Sequence, residues 1–480
     1  MTTHRGWMSY PITYCAKEME ILAAWIREGQ SGAVVGPPGV GKSNLLGFLC
    51  HRPDALALYL DTNSHPVALV FIDLNDLPAY DLATLYRIIL RAFYESRQRF
   101  SPLLQETVTT TYQGIRTIND PFTVQSVLRE LLFLFEAQSV QVVLVLDRFD
   151  HFCQKATPPM TDTLRALRDG FKQTLCYLVG MRQEIAYLSD PTILGELYEI
   201  LDAQVCRVRP LTAIDAQHLV ARELHGSPHP LDQASFEHLL ALTGGYPAWL
   251  KIACTWWLNT SPIPFTAWLK SLLVEHTIQY RLGELWAGLS QKEQLALAEV
   301  ESGIKNAAAS PLNPAKQSKK TGPQSDNFWP QAERQQQTLA LLENKGLIRQ
   351  DGTEWRIFSE LLAAYIAGLV GRGRGQIWLD PNTGNIYQGQ TTLANLAPLE
   401  RSLLAYLLTH PRIRHTYTTL IEAAWPDEIN KEGVSNEALF QVVTGLRRKI
   451  EPDPARPCYL VNWRGIPEGG YQCFPEGRPE

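Results

Sequence analysis

The sequence predicts an α/β fold: a P-loop NTPase-type parallel sheet, then a helical and winged-helix region, and finally a C-terminal winged helix-turn-helix domain. Three observations predict this fold. A G-x-x-x-x-G-K-S motif at residues 36–43 follows a short apolar run, continuous apolar runs alternate with helical patterns up to residue 208, and two helix–helix–hairpin patterns follow residue 281. Continuous apolar strands that alternate with helices are typical of a parallel sheet covered on both faces.

Length and composition limit the class of protein. A chain of 480 residues is long for one hydrophobic core, so we expect roughly two to four domains. The net charge of −5 argues against a protein that coats nucleic acid without sequence preference, although a local basic patch is compatible with it. The sequence shows no long apolar run and no apolar signal segment at its N-terminus, so we expect no membrane span and a cytoplasmic protein. The eight cysteines are scattered without a C-x-x-C pair, which predicts buried free thiols with neither zinc nor disulfides.

The motif at residues 36–43 predicts a phosphate-binding loop between a strand and a helix. Its glycines let several backbone N–H groups face one anion, and the following helix adds its positive N-terminal end. The lysine supplies a charge for the β- and γ-phosphates, and the serine hydroxyl can ligate Mg²⁺. The predicted nucleotide-binding residues of this segment are Gly36, Gly39, Val40, Gly41, Lys42, Ser43 and Asn44.

A helix is predicted ahead of this loop, between about residues 10 and 30. Ile12, Ile21, Leu22 and Trp25 mark its apolar stripe. Two interpretations stay open: a shelf or lid for the adenine base, or a helix that only packs against the sheet.

The strands after the loop are predicted from apolar runs that are rich in β-branched residues, with helices at 82–94 and 122–135 between them. Ligands of such sheets bind at the carboxyl ends of the strands. The predicted strands are residues 67–74, 140–147, 175–180 and 204–208.

Asp147 closes one of these apolar strands and is the predicted partner of Ser43 in holding Mg²⁺. Asp150 lies three residues further on and could act on a water molecule opposite the γ-phosphate. The residue directly after Asp147, often a glutamate in hydrolysing ATPases, is Arg148. This departure predicts either slow ATP hydrolysis or a base supplied by Asp150.

Arg182 follows the next apolar strand and could sense the γ-phosphate, or it is an ordinary surface arginine. Further along, helices are predicted at 213–223 and 232–242. Gly244 and Gly245 end the second of these, and Pro247 stands near the first turn of the next helix.

The chain from about residue 10 to residue 370 resembles STAND-type ATPases, the AAA+-related switch class that includes NACHT and NB-ARC proteins. The resemblance rests on residues 36–43, on the segment from Asp147 to Asp150 (similar to the D-G-h-D-E form of Walker B), on Arg182 and on residues 244–247. In that class the proline of the last motif packs on the nucleotide, so the resemblance implies this role for Pro247. It also implies ATP or ADP with Mg²⁺ as ligands, and a homo-oligomer that forms on ATP binding.

Residues 281–370 show a helix–helix–hairpin order with a turn at Asp351 and Gly352, which predicts a winged helix. In STAND proteins such a domain folds against the nucleotide and holds the inactive state. Residues 305–331 within it are rich in Ala, Ser, Pro, Lys and Asn and predict a disordered insertion.

Residues 376–474 contain a strand pair, three helices and a closing hairpin. The segments at 399–404, 420–425 and 446–450, together with Trp463 to Gly465, closely resemble the OmpR/PhoB-type winged-helix DNA-binding domain. In that family the third helix enters the major groove and the wing contacts the DNA backbone or minor groove. The resemblance implies contacts to DNA phosphates by Arg447, Arg448, Lys449 and Arg464, and contacts to bases by Gln441 and Thr444.

Two departures and a charge count leave the role of this domain open. Gly445 stands inside the third helix, where glycine costs about 1 kcal/mol relative to alanine. Residues 466–469 lengthen the wing and add an acidic residue, Glu468. Residues 385–480 carry ten basic and eleven acidic side chains, whereas a DNA-binding module is usually clearly positive. The domain therefore binds DNA or, alternatively, docks a partner protein.

These predictions combine into a domain plan and a leading hypothesis. The predicted domains are a P-loop nucleotide-binding domain at 1–210, a helical lid domain at 211–280, a winged helix at 281–370 and a second winged helix at 376–474. The leading hypothesis is an ATP-controlled switch with a DNA-binding output, in transcription regulation or in a nucleic-acid-linked defence or mobile-element function. The alternatives are a nucleotide-stabilised scaffold and an ATPase with fast turnover. No repeat array that could act as a sensor occurs, so the signal comes from a partner protein or from the C-terminal domain itself.

Overall fold

The structure is a computed structural model, and it describes most of the chain in two compact units. One unit is Met1–Gly288 with Glu343–Leu347, and the other is Leu289–Leu342 with Ile348–Glu480. The predicted boundaries at 210, 280 and 370 are finer than this division and stay predictions. The described residues are 5–60, 65–227, 231–259, 263–302, 331–352, 354–370, 375–381, 383–389, 391–425, 435–451, 454–465 and 468–478.

The first unit is built on a five-stranded parallel sheet with the order β2-β3-β4-β1-β5. All five strands lie where the apolar runs predict them. Every residue of β1 and β4 is buried, as expected for inner strands of a sheet covered on both faces. The strands are β1 (Gly32–Val35), β2 (Val67–Asp73), β3 (Gln141–Asp147), β4 (Leu175–Met181) and β5 (Val205–Arg207).

Helices cover this sheet, and the predicted ones at 82–94 and 122–135 are present with slightly wider bounds. The sequence analysis named neither α6 nor α9. The helices are α1 (Arg5–Met8), α2 (Ala16–Arg27), α3 (Lys42–His51), α4 (Pro53–Leu56), α5 (Leu82–Ser96), α6 (Pro102–Ile115), α7 (Pro121–Ala137), α8 (Phe149–Cys153), α9 (Pro158–Gly170) and α10 (Leu197–Asp202).

The apolar stripe predicted for residues 10–30 is partly wrong. Ile12 lies before α2 and Ile21 lies within it, and both are exposed. The buried face of α2 is formed by Met19, Leu22 and Trp25 with two further residues. The helix is thus rotated relative to the prediction, and Met19 takes the buried position that was assigned to Ile21.

A group of helices follows β5 within the same unit. The side chain of Thr212 accepts the backbone N–H of Asp215 at the start of α11, and that of Asp232 accepts the N–H of Ser235 at the start of α12. Gly244, with φ of 61°, ends α12 as predicted. The helices are α11 (Ala213–Glu223), α12 (Gln233–Thr243), α13 (Pro247–Asn259), α14 (Phe265–Val274) and α15 (His276–Ala287).

The helix–helix–hairpin predicted for residues 281–370 is present. The Ser290 hydroxyl and the Glu293 carboxylate form the predicted cap of α16. Residues 305–330 of the predicted insertion lie outside the described residues, and Gln331 is already part of a helix. The elements after α15 are α16 (Gln291–Ser302), α17 (Gln331–Asn344), β6 (Ile348–Asp351), β7 (Glu354–Ile357) and α18 (Glu360–Val370).

The last part of the chain has the predicted strand pair, three helices and a closing hairpin, plus the two short strands β10 and β11. The strand pair is extended to the order β10-β9-β8, and the hairpin forms a sheet with the order β11-β13-β12. A core of buried residues from all three helices and the closing hairpin includes Leu403, Leu420, Leu446 and Tyr459. The elements are β8 (Ile377–Leu379), β9 (Ile386–Gln388), β10 (Thr391–Thr392), α19 (Pro398–Thr409), β11 (Arg414–Thr416), α20 (Tyr417–Ala424), α21 (Asn436–Ile450), β12 (Leu460–Trp463) and β13 (Gly470–Cys473).

The cysteines and the helix lengths bear on the compositional predictions. All eight cysteines are free thiols, and seven of them are buried, with Cys458 half-buried. Among the described residues, no helix has both the length and the apolar character needed to cross a membrane.

Candidate functional site

The loop at residues 36–43 joins β1 to α3 at the carboxyl edge of the sheet. Gly39 and Gly41 have φ values of 83° and 108°, a conformation that only glycine adopts without strain. A Cβ atom on Gly39 would also lie 2.8 Å from the Cβ of Ala248. Two of the predicted glycines are therefore required by the shape of the loop. The first turn of α3 lies at its end, and the first turn of a helix offers N–H groups and the positive end of the helix dipole to an anion.

Lys42, the first residue of α3, folds back onto this loop. Its ammonium group donates to the carbonyl oxygen of Gly36 and, at 3.1 Å, to that of Pro37. Burial lowers the pKa of Lys42 to about 8, although the nearby Asp150 and Asp147 act in the opposite direction. A poorly solvated cation gains more than an exposed one when an anion is brought beside it. Lys42 is thus suited to bind phosphate.

Ser43 and Asp147 meet as predicted, at the ends of the elements that carry them. The Ser43 hydroxyl is hydrogen-bonded to the Asp147 carboxylate, and the backbone N–H of Arg148 donates to Asp147 Oδ1 at 3.0 Å. Burial raises the pKa of Asp147 in spite of these two bonds. A hydroxyl and a carboxylate side by side are oxygen ligands of the kind that Mg²⁺ prefers.

Gly180 makes room for the Asp147 side chain, and the sequence analysis gave it no role. It lies in β4, the strand between β1 and β3. A Cβ atom on Gly180 would stand 2.6 Å from Asp147 Oδ1 and 2.8 Å from Leu46 Cδ1. The only available signal was a glycine near the end of an apolar strand, where glycine usually marks a close approach.

Asp150 and Arg182 are brought together beside the loop. Asp150 lies in the first turn of α8, and its Oδ2 is 3.7 Å from Nε of Arg182. The Arg182 side chain is 65% exposed, whereas that of Asp150 is 12% exposed. The predicted base and the predicted sensor therefore form one ion pair, in which the arginine is the exposed partner.

Arg148 occupies the position where hydrolysing ATPases often have glutamate. It has φ of 59°, an uncommon conformation for a residue with a side chain. Its Nε lies 3.7 Å from Oδ1 of Asp73, the residue that ends the neighbouring strand β2. The cation thus pairs with a second carboxylate at the edge of the sheet, one that the sequence analysis did not assign.

The segment around Pro247 covers the phosphate-binding loop. The hydroxyl of Tyr246 donates to the carbonyl oxygen of Pro38 at 2.5 Å, and the backbone N–H of Ala248 donates to that of Gly39 at 3.2 Å. Cγ of Pro247 lies 3.6 Å from where a Cβ atom on Gly41 would stand. The start of α13 is therefore fixed to the loop by two hydrogen bonds, and Pro247 stands beside Gly41.

The remaining loop residues face the N-terminal segment or the interior. Asn44 Nδ2 donates to the hydroxyl of Tyr14 at 3.0 Å, and the Tyr14 ring packs against Tyr10 and Phe48. Val40 is buried. Asn44 therefore links α3 to the segment before α2, an interaction that the motif alone does not reveal.

The predicted base-reading face of α21 is exposed. Gln441, Thr444 and Arg448 are exposed, and they lie along one side of the helix because they are three and four residues apart. The Thr444 hydroxyl donates to the carbonyl oxygen of Phe440 at 2.7 Å, within its own helix. Arg464, in the wing after β12, is also exposed.

Two of the predicted phosphate contacts are instead engaged within the domain. Arg447 Nε donates to the carbonyl oxygen of Leu460 at 3.0 Å, and its guanidinium lies over the ring of Tyr471. Lys449 pairs with Glu400 and donates to the carbonyl oxygen of Asn395 at 2.7 Å. Each would have to give up these partners to reach a phosphate.

Gly445 is explained by the same carboxylate. A Cβ atom on Gly445 would lie 2.3 Å from Glu400 Oε1. Glu400 is buried, accepts the backbone N–H of Ala397 at 2.7 Å and pairs with Lys449. The helix-weakening glycine therefore makes room for a buried charge. In the wing, Glu468 accepts from the Thr418 hydroxyl at 3.2 Å, while Ile466 and Pro467 lie outside the described residues.

Two protein families match separate parts of the chain. The AAA domain family matches residues 26–188, and the family described as transcriptional regulatory protein, C terminal, matches residues 390–472. Residues 26–188 form an AAA domain. Residues 390–472 form the C-terminal domain of transcriptional regulatory proteins, the OmpR/PhoB-type winged helix.

One curated protein is similar to part of this chain. Protein PetR of Rhodobacter capsulatus is 33% identical over 104 residues, which are 21% of this chain and 42% of PetR. The match thus spans less than half the length of that relative.

Solved structures similar to this chain are distant. The Walker-type ATPase PABY2304 of Pyrococcus abyssi has 16% identity and a TM-score of 0.43, covering 73% of this chain and 94% of its own. The ORC2 protein of Aeropyrum pernix, solved as ADPNP–ADP complexes, has 15% identity and a TM-score of 0.38, covering 73% and 91%. The ORC1 protein of the same organism, solved in complex with DNA, has 15% identity and a TM-score of 0.35, with the same coverage.

Proposed function

We propose that this protein is an ATP-controlled switch of the STAND type whose output is DNA binding for transcription control. One observation carries the proposal: a glycine loop with Ser43 hydrogen-bonded to Asp147 lies on the same chain as a transcriptional-regulator C-terminal domain. The loop would provide a conformational equilibrium that depends on the bound nucleotide. The C-terminal domain would provide the DNA binding that this equilibrium controls.

The loop chemistry suits a nucleoside triphosphate. The start of α3 and Lys42 would bind the phosphates, and Ser43 and Asp147 would hold Mg²⁺ with phosphate oxygens and water. The ion would neutralise charge on the β- and γ-phosphates. Pro247 would pack on the nucleotide, since it lies beside Gly41.

We propose that ATP hydrolysis is slow. Oδ2 of Asp150, the candidate base, lies 3.7 Å from Nε of Arg182, so this carboxylate is already engaged by a cation. The position directly after Asp147, where hydrolysing ATPases often have glutamate, is occupied by Arg148, which pairs with Asp73. Slow turnover lets the bound nucleotide, rather than the reaction, define the state of the protein.

The connection between β5 and α11, residues 208–212, supports the switch. The Leu211 N–H of this connection donates to the Gly245 carbonyl oxygen at 3.0 Å. Arg209 Nε donates to the carbonyl oxygen of Asn344 at 3.2 Å, and a Cβ atom on Gly346 would stand 2.8 Å from Pro210 Cδ. The turn Glu343–Leu347 thus contacts the connection between β5 and α11, which we propose to act as a hinge between the sheet and the α11–α15 helices.

This contact gives the nucleotide a route to the rest of the chain. The turn belongs to the first unit, whereas the residues on both sides of it belong to the second. We propose that ADP leaves the turn on the hinge and the winged helix at 281–370 in the inactive state. ATP would draw Arg182 and Pro247 inward, move the hinge and favour self-association. A ligand shifts such an equilibrium only by its different affinity for the two states, which here would come from γ-phosphate contacts.

The rival function is a nucleotide-stabilised scaffold with a protein-docking winged helix. The internal bonds of Arg447 and Lys449 favour it, because they remove two cations from the predicted DNA surface. A gel shift of genomic fragments over a salt series separates the two functions. Binding that falls steeply with salt supports phosphate contact, and the absence of any shift at low salt supports the scaffold.

Size-exclusion chromatography with ATP, ADP or no nucleotide tests the switch. We expect a larger species with ATP and Mg²⁺ only, and its loss in Lys42→Ala. Lys172→Ala, which changes an exposed lysine on the first unit, is the matched control. An unchanged elution volume in all three conditions would contradict the switch.

A further inference from the structure

We infer that α21 selects thymine, and that Phe440 and Thr444 read the C5 methyl group of that base. This inference rests on the proposed DNA-binding function and names the base class that the helix would recognise. Phe440 was not among the residues assigned from the sequence.

Three side chains form the exposed patch. Phe440, Gln441 and Thr444 lie within about one turn of α21, so their side chains occupy an arc of about 100° on one side of the helix. Thr444 follows Phe440 by four residues, which places the two side chains next to each other. Phe440 is 36% exposed, although an aromatic ring of this size is usually buried in a domain core.

Phe440 is held in place from below. Its ring meets that of Tyr417 edge to face at 5.2 Å, and Tyr417 in turn contacts Tyr471 at 5.7 Å. Tyr417 begins α20, and Tyr471 lies on the closing hairpin strand β13. An exposed ring that already packs against Tyr417, itself in contact with Tyr471, loses little freedom when a ligand contacts it, so this patch is prepared for an apolar contact.

Thr444 offers its methyl group more readily than its proton. The hydroxyl donates to the Phe440 carbonyl oxygen at 2.7 Å, so the proton is used within the helix. What Thr444 still presents is a methyl group and oxygen lone pairs. In the major groove, the apolar feature of base edges is the thymine methyl group, which Phe and Thr methyl groups contact.

The polar side chains around the patch are compatible with an A·T pair. Reading guanine usually takes an arginine or lysine that reaches the O6 and N7 atoms. Arg447 and Lys449 are engaged with Leu460 and Glu400 within the domain. Arg448 is exposed on the same side of the helix and is the cation predicted to contact a phosphate. Gln441, next to Phe440, has the side chain that pairs with adenine N6 and N7.

The experiment uses the full chain and a site selected from a random duplex library at low salt. Affinity is then measured by fluorescence anisotropy for that duplex and for duplexes in which single dT positions are replaced by deoxyuridine, which lacks the methyl group. We expect at least one position at which deoxyuridine weakens binding about fourfold, the effect of one buried methyl group. Phe440→Ser should abolish this difference at that position.

Matched variants separate the methyl contact from folding effects. Thr444→Val keeps a methyl group and should retain the deoxyuridine effect, whereas Thr444→Ser should reduce it. Phe122→Ala removes an exposed phenylalanine from the first unit and should leave the effect unchanged. Equal affinity for dT and deoxyuridine at every position of a well-bound site would overturn this inference alone. The absence of binding to any duplex would overturn the DNA-binding proposal together with it.

Discussion

The phosphate-binding loop and helix α21 were both assigned from sequence motifs, and the structure treats the two sets of residues differently. At the loop, Lys42, Ser43, Asp147, Asp150 and Arg182 converge on one edge of the sheet. Along α21, two of the three predicted phosphate contacts, Arg447 and Lys449, are satisfied inside the domain. A phosphate-loop motif determines the conformation of the backbone, and that conformation determines where the side chains of the loop lie. A row of cations on a helix fixes only charge, and any neighbouring acid or carbonyl can take that charge.

The largest effect we expect in testing this contrast comes from Gly180→Val. The added side chain would collide with Asp147 and Leu46, which should displace the carboxylate from Ser43. We expect Mg²⁺-dependent ATP binding to fall by up to about 100-fold, in line with losses seen when support of a metal ligand is removed. Isothermal titration calorimetry with and without Mg²⁺ measures it.

Gly114→Val, on α6, is the control for Gly180→Val, because a Cβ atom there would meet no described atom within 4 Å. If Gly180→Val stayed folded by circular dichroism and bound ATP with Mg²⁺ like the control, the assignment of Asp147 to the metal site would be wrong.

The second prediction concerns the glycine of α21. Helix propensity alone predicts that Gly445→Ala stabilises the helix by about 1 kcal/mol. The structure predicts the opposite, a loss of about 1–3 kcal/mol, because the new methyl group would collide with the buried Glu400. Unfolding of the second unit, followed by scanning calorimetry, decides the sign.

Gly368→Ala supplies the matched comparison for this change. Gly368 lies in α18 of the same unit, it is exposed, and a Cβ atom there would have no neighbour in the described structure within 4 Å. It should gain about 1 kcal/mol. Adding Glu400→Ala to Gly445→Ala should restore part of the loss. A gain in Gly445→Ala alone would show that Glu400 is not held against the helix.

The third prediction uses the pKa of Lys42. In the free protein this pKa is lowered to about 8 by burial, so the side chain loses its charge as pH rises through 8. Bound triphosphate raises the pKa, because a nearby anion favours the charged form. ATP affinity should therefore fall by up to about tenfold per pH unit above pH 8 and be nearly flat just below it.

Calorimetry at pH 7.5, 8.5 and 9.5 in matched ionic strength measures the effect. Lys42→Arg keeps its charge throughout this range and should show no such decline. An equal decline in Lys42→Arg would assign the pH dependence to another group.

The sequence predicted the elements better than it predicted their contacts. The five strands of the sheet could be predicted because their apolar runs are continuous, and residues 36–43 because their spacing is specific. Helix α6 was missed because residues 107–111 contain four threonines and a valine, β-branched residues with low helix propensity, and the burial of Leu104 and Val108 overrides that preference. Gly180, Glu400 and Tyr246 were missed for a different reason. Each acts on a residue far away in the chain, so their roles depend on tertiary contacts that no local pattern encodes.

The smallest expected effect concerns the proposed hinge at residues 208–212, through which the bound nucleotide would influence the winged helices. Gly346 and Gly352 have nearly equal positive φ values, 71° and 64°, so Gly→Ala costs about the same backbone strain at both, about 1 kcal/mol. Only at Gly346 would the methyl group also meet Pro210, at 2.8 Å, while the space around Gly352 is open among the described atoms. Gly346→Ala should therefore loosen the turn from the hinge.

Hydrogen exchange resolves this difference locally. In Gly346→Ala the Leu211 N–H, which bonds to the Gly245 carbonyl oxygen, should exchange a few times faster than in the native protein, and Gly352→Ala should match the native rate. Gly346→Ala should also bring the affinities for ADP and ATP closer together, because a hinge that is already released no longer favours the ADP state. Faster exchange at Leu211 without any change in that ratio would mean that the turn supports the hinge but does not report the nucleotide. Equal exchange rates of the Leu211 N–H in both variants would mean that the turn does not restrain the connection at residues 208–212. The proposed switch would then need another route.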